Sequence, residues 1–230
     1  MTNPAPSRSP TKIRTILFDL DGTLLDTAPD LAYALNQVLE KNDCNPLPFT
    51  NIRPAASHGT IALIRTGFGI EPDDEMFEVY RQQLLDIYRN NLSRETRLFP
   101  GMAELLCEIE QRDMNWGIVT NKPGFLTEPL LEELGLIDRP ACIVSGDSTP
   151  QRKPDPAPML HACQLAGSEA SQCLYVGDAQ RDIEAGKNAN MKTLVALYGY
   201  IAEHDKPLEW GADSAISHPN EVLDWVDRSG

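Results

Sequence analysis

Ile13-Arg-Thr-Ile-Leu-Phe-Asp19-Leu-Asp21-Gly22-Thr23 is the stretch on which the reading of this chain turns. Residues Ile13–Leu20 form a near-continuous β-branched and apolar run, the pattern of a strand covered on both faces. Gly22 allows a sharp turn directly after it, and the carboxylates of Asp19 and Asp21 project from the end of the same strand. An acidic turn that merely caps the next helix would fit the same residues, so the remainder of the chain has to decide.

Outward from that strand, a helix is predicted from about Pro29 to Asn42, with Leu31, Leu35, Val38 and Leu39 as one stripe and Thr27 with Asp30 as a capping pair. Residues 43–96 show no convincing strand and read as helices, the clearest at Asp74–Asn91. Beyond Leu98 the pattern alternates. Helices are predicted at Met102–Arg112, up to Gly135, at Asp155–Ala166, at Asp182–Ala189 and from Asn220, and strands at Trp116–Thr120, Ala141–Val144, Cys173–Val176, Thr193–Leu197 and Ala212–Ile216. Such alternation predicts an α/β fold, a Rossmann-like doubly wound parallel sheet covered on both faces. The helical stretch is then an inserted cap above the carboxyl ends of the strands, where such sheets bind ligands. The expected organisation is a Pro/Ser/Thr-rich disordered tail at 1–11, an α/β core at 12–26 and 97–230, and a small α-helical cap at 27–96.

Three further motifs fall at predicted strand ends. Thr120 closes GIVT and is followed by Asn121 and Lys122; Lys153 stands in RKPDP; Asp178 and Asp182 stand in VGDAQRD. A hydroxyl with the backbone amides after it cradles phosphate oxygens, and an ammonium offsets their charge. Asp178 and Asp182, four apart at a helix start, share one face and repel each other unless a cation intervenes; Mg²⁺ suits such hard oxygen ligands. The helix dipole alone would also accommodate both acids.

In this order, with FDLDGTLLDT first, the motifs resemble those of the phosphatase branch of the haloacid dehalogenase superfamily, over essentially the whole chain from Lys12. The resemblance implies Mg²⁺-dependent hydrolysis of a small phosphorylated metabolite through an aspartyl-phosphate. It implies Asp19 as nucleophile and metal ligand, Asp21 as acid/base that lends its main-chain carbonyl to the metal, and Thr120, Asn121 and Lys153 on the phosphate. It also implies Asp178 on the metal with Asp182 behind it. RLFPGM, WGIVTNKP and YGYI followed by WGAD are similar to the phosphoglycolate phosphatase group, and most to its branch acting on N-acetylmuramic acid 6-phosphate in cell-wall recycling. Lys122 divides between site and surface. Within Arg53-Pro-Ala-Ala-Ser57-His58-Gly59, expected as a loop between cap helices, Arg53 and His58 are the candidates for contacting the substrate beyond its phosphate, against the plainer reading of a polar helix connection.

Composition narrows the classes further. With 230 residues, a net charge of −14 and a pI near 4.6, the chain lacks the basic face that nucleic acid demands. Five cysteines without a CxxC read as reduced thiols, those at 107, 142, 163 and 173 buried. No apolar leader and no apolar run of membrane length appear, so a cytosolic location is expected. Competing readings are a phosphomutase or sugar-phosphate phosphatase with the same motifs, a haloacid dehalogenase, against which Asp21 argues, and a receiver-like phosphoacceptor, against which DGT and the helical insertion argue. The sequence sets no oligomeric state.

Overall fold

The computed structural model describes residues 12–229, so the expected tail at 1–11 lies outside them. Strand β1 (Thr15–Phe18) leads into a short β2 (Leu25–Asp26), and four helices follow: α1 (Ala28–Lys41), α2 (Phe49–Ala56), α3 (Gly59–Phe68) and α4 (Phe77–Arg89). After β3 (Arg97–Leu98) the chain alternates through α5 (Met102–Gln111), β4 (Asn115–Val119), α6 (Gly124–Glu133), β5 (Cys142–Val144), α7 (Ala157–Leu165), β6 (Cys173–Gly177), α8 (Gln180–Asn188), β7 (Lys192–Ala196), β8 (Ser214–Ile216) and α9 (Glu221–Ser229).

The main sheet is parallel throughout, in the order β5-β4-β1-β6-β7-β8. All four residues of β1 are fully buried because it lies between β4 and β6 with helices over both faces. Ile16 and Phe18 belong to the buried cluster that includes side chains of α5, α6 and α9, whereas Leu17 belongs to the one that includes Met159, Ala162 and Ala185 of α7 and α8. The strand order departs from β1 in both directions, and this switch point opens a crevice at the carboxyl ends. The expected doubly wound sheet is what the chain forms.

Helices α1 to α4 pack on one another, as expected of the inserted region. The chain enters and leaves it through the antiparallel pair β2/β3, with Leu25 opposite Leu98 and Asp26 opposite Arg97, a ribbon too short to show a period in sequence. Thr27 and Asp30 do not form the expected capping pair, because tertiary partners claim both side chains. The Thr27 hydroxyl donates to Asp21, and the buried Asp30 carboxylate accepts from the Glu95 and Thr96 amides and the Thr96 hydroxyl. Asp30 thereby ties the entry of the helical region to its exit. The expected loop from Arg53 is instead mostly helix. Ile52 and Ala56, four apart and buried, carry α2 through Pro54, and only Ser57 and His58 remain as the turn. Cys142, Cys163 and Cys173 are buried free thiols as expected, but Cys107 is exposed, on the outer face of α5. No described helix is long and apolar enough to cross a membrane.

Candidate active site

Asp19 follows β1 directly, and its amide continues the ladder to Val176. Its Oδ1 accepts from Lys153 Nζ at 2.8 Å. Lys153 comes from the loop after β5, and the same ammonium donates to Asp182 Oδ1 at 2.7 Å, to the Val119 carbonyl and to the Tyr175 hydroxyl. Every donor of this buried lysine is therefore engaged, two of them by carboxylates. Burial raises the Asp19 pKa and Lys153 opposes the rise. The direction matters because a nucleophile must be ionised, so the lysine's charge is what keeps a carboxylate usable at this depth.

Asp178, at the end of β6, completes a group with Asp19 and Asp182 whose carboxylate oxygens lie within 4.8 Å of one another. Asp178 Oδ1 accepts from the Thr23 hydroxyl, and Oδ2 from the Tyr200 amide and the Ser57 hydroxyl. Burial, then the charges of Asp19 and Asp182, push its carboxyl up to about 7. Three buried carboxylates face only Lys153, which pairs with Asp19 and Asp182, and the more distant charge of Arg181; a hard divalent cation corrects the remaining deficit. The donor set thus fits Mg²⁺. Two glycines make room for the Asp178 side chain. A Cβ at Gly22, where φ is +88°, would stand 2.2 Å from Asp178 Oδ2, and one at Gly199 would stand 2.3 Å from Asp178 Cβ. Both oxygens of Asp182 are engaged, by Lys153 and by the Ala179 amide, which suits the supporting place expected for it.

Asp21 faces the opposite way. Its Oδ1 accepts from Thr27 Oγ1 at 2.6 Å and from Lys122 Nζ at 2.8 Å, and Lys122 also donates to the Tyr88 hydroxyl of α4 at 2.7 Å. Burial works against the Lys122 charge, but Asp21 and Tyr88 outweigh it and raise its pKa; the Tyr88 hydroxyl is itself pushed up to about 12, mainly by burial. Lys122 is therefore buried between Asp21 and Tyr88 and is not a solvated surface charge. Thr120 Oγ1 accepts the Lys122 amide at 3.1 Å, so its proton points elsewhere. The Asn121 side chain is committed to the Lys153 main chain, donating to its carbonyl and accepting its amide, which fixes the approach of Lys153 rather than leaving the amide group for a ligand.

Part of this group floors a cleft of about 380 Å³. Asp19, Asp21, Thr120, Asn121 and Lys122 come from the core, and His58, Ile61, Arg81 and Tyr88 from the helical region opposite. Of the two residues expected to reach the substrate, His58 lines this cleft. Arg53 does not: it donates to the Tyr198 carbonyl at 3.3 Å and lies over the Tyr200 ring, because the fourth-last residue of α2 points along the interface rather than into the cleft. Arg181, which stands inside the quoted VGDAQRD but carries no signal of its own there, does line the cleft. It reaches the Ser57 carbonyl and lies 3.2 Å from His58 Nδ1. Desolvation and the Arg181 guanidinium hold the His58 imidazole below its ordinary pKa. Tyr88 is legible in sequence only as part of a helical stripe, and Gly199 and Tyr175 carry no local signal at all.

Residues 16–196 match the family of haloacid dehalogenase-like hydrolases. The chain is 39% identical over 218 residues to an N-acetylmuramic acid 6-phosphate phosphatase of Pseudomonas putida, covering 95% of this chain and 98% of that one. It is also 39% identical over 209 residues to a phosphoglycolate phosphatase of Xanthomonas campestris pv. campestris, covering 91% and 94%. Among solved structures, that of a predicted phosphoglycolate phosphatase from Haemophilus somnus superposes with a TM-score of 0.82 at 27% identity, covering 93% of this chain and 97% of that one. The chain belongs to the haloacid dehalogenase-like hydrolases.

Proposed function

We propose that this chain, a phosphoric monoester hydrolase of the haloacid dehalogenase-like family, releases phosphate from a sugar-acid phosphate of the N-acetylmuramic acid 6-phosphate class. The observation that carries the substrate reading is the cleft itself. A cavity of about 380 Å³ is ample for a substituted sugar ring, and a two-carbon phosphoglycolate would leave much of it to water. Its lining mixes cations (Arg81, Arg152, Arg181) with an apolar mouth at Ile61 and Phe125, a combination that suits a ring bearing both a carboxylate and methyl groups. Phosphoglycolate is the second reading, favoured by the Xanthomonas relative.

The chemistry assigned to the residues follows their placement. Asp19, Asp178 and the main-chain carbonyl of Asp21 would hold Mg²⁺ with Asp182 behind them, and that charge lets an anionic phosphoryl group approach three carboxylates. One Asp19 oxygen attacks phosphorus as the P–O ester bond breaks in line, and the leaving alkoxide takes its proton from Asp21. Water then attacks the aspartyl-phosphate, Asp21 accepts its proton, and Asp19 leaves as a carboxylate with phosphate as product. Lys153, Thr120 and the main chain at Asn121 offset and orient the equatorial oxygens. Residues 27–96 act as the cap that selects the ester and excludes bulk water. The acidic surface and metabolite-sized cleft support a cytosolic enzyme of small-molecule metabolism.

A panel of metabolite phosphates ranked by kcat/KM, with Mg²⁺ and after exhaustive chelation, tests this reading. N-acetylmuramic acid 6-phosphate should exceed an aryl phosphate by at least about 10²-fold, a difference of about 2.7 kcal/mol. Chelation should abolish turnover and Mg²⁺ restore it. A panel led by 2-phosphoglycolate transfers the assignment to the second reading, and turnover that survives chelation refutes the metal.

A further inference from the structure

We propose that Arg181 is a positioning residue that holds the helical cap shut over the carboxylate cluster by gripping the Ser57–His58 turn from the core side. Arg181 belongs to the core helix α8 and stands between Asp178 and Asp182, yet its guanidinium crosses to the cap. Nη2 donates to the main-chain carbonyl of Ser57, and Nη1 lies 3.2 Å from His58 Nδ1. Ser57 and His58 are the whole of the turn between α2 and α3, so the fork grips that turn at two successive residues. A guanidinium is always charged and its donors are fixed in one plane, which lets two acceptors be held at once with little further ordering.

The other end of the same contact lies on the chemistry. The Ser57 hydroxyl donates to Asp178 Oδ2 at 3.0 Å, and Asp182, Asp19 and Asp178 all act on the Arg181 charge. Lifting the turn off Arg181 therefore also strips a donor from Asp178. Two other cap-to-core contacts near the cleft differ in kind. Arg53 grips the Tyr198 carbonyl behind the cleft, and Tyr88 meets Lys122 on the Asp21 side. Arg181 alone of the three is a core cation that lines the cleft and holds cap main chain. It fixes the width of the cleft at the metal side, and with it the shape offered to the ester. This inference stands on the contacts themselves and does not depend on which ester is hydrolysed.

Hydrogen exchange of the metal-free full-length chain provides a readout separate from turnover. In Arg181→Met, amides of Phe49–Phe68 should exchange at least about tenfold faster than in the wild type, with those of β4 and β6 unchanged; Arg181→Lys, which keeps the charge but not the fork, should fall between. His58→Ala removes one acceptor from the cap side and should shift the same amides by less. If Arg181→Met fails to fold, Arg181→Lys and His58→Ala carry the test. Exchange across 49–68 within about twofold of wild type in the folded variants overturns the proposal. So does an equal loss of kcat on aryl and sugar phosphates with exchange unchanged, which would make Arg181 a phosphoryl-binding group instead. With the latch released, KM for the sugar phosphate should rise by a larger factor than its kcat falls, and Arg181→Lys should recover part of that rise.

Discussion

Asp19 and Asp21 stand two residues apart on one turn, yet the fold places them in opposite surroundings. The Asp19 side chain is 4% exposed and paired with a lysine that is itself 1% exposed, inside a network drawn wholly from the core. The Asp21 side chain is 17% exposed and paired with Lys122, whose other partner, Tyr88, belongs to the cap. The difference teaches how one short motif serves two chemical roles. A nucleophile needs a fixed position and a held negative charge, which burial against Lys153 and a cation supplies. An acid/base must exchange protons with the leaving group and with water, which requires the wetter and cap-facing side.

The sharpest way to break this comparison is at the nucleophile. Asp19→Asn, a near-isosteric change, should cost at least about 10⁴-fold in kcat, about 5.4 kcal/mol, with the circular dichroism spectrum unchanged. A beryllium fluoride adduct should form on Asp19 in the wild type and be lost in the variant. Near wild-type turnover by the Asp19→Asn variant would end the aspartyl-phosphate mechanism.

The second test separates the two lysines by stability. Lys153→Met leaves Asp19 and Asp182 buried without their cation and should lower the unfolding free energy of the metal-free protein by about 3–5 kcal/mol, read from a urea titration. Lys122→Met should cost clearly less, because Asp21 keeps the Thr27 hydroxyl and some access to water. Equal losses would show that the two carboxylates share one environment after all.

The smallest effect concerns the cap's hold on the acid/base. Tyr88→Phe removes one acceptor from Lys122 and nothing from the Asp19 network, and should lower kcat/KM about tenfold with stability changed by no more than about 1 kcal/mol. The metal dependence of the variant should be that of the wild type. A shifted Mg²⁺ requirement would mean that the two sides are coupled more closely than their separate partners suggest.

Much of this arrangement is legible in the sequence. The apolar run 13–20, the alternation beyond Leu98 and the strandless stretch before it suffice to predict a doubly wound parallel sheet with a helical insertion, since burial on both faces and period are local properties of sequence. Asp19, Asp21, Thr120, Lys153, Asp178 and Asp182 are legible because they stand in motifs at or beyond predicted strand ends whose order resembles the family's, and parallel strands deliver their carboxyl ends to one edge. The errors share a cause as well. Thr27 and Asp30 have the spacing of a cap but serve tertiary partners 6 and 65 residues away. Arg53 draws notice for its charge in an expected loop, and the helical phase of α2 turns it to Tyr198 and Tyr200.

By itself the sequence determined which elements form, in what order, and which acids and cations stand at their ends, because propensity, periodicity and chain connectivity act over a few residues. Only the tertiary structure decided which cation meets which carboxylate. Lys153 reaches Asp19 across 134 residues and Lys122 reaches Asp21 across 101, while Arg181 grips a turn 123 residues earlier in the chain. Such pairings depend on strand order and on side-chain direction at the crevice, and a charge pair has no period by which a sequence could announce it.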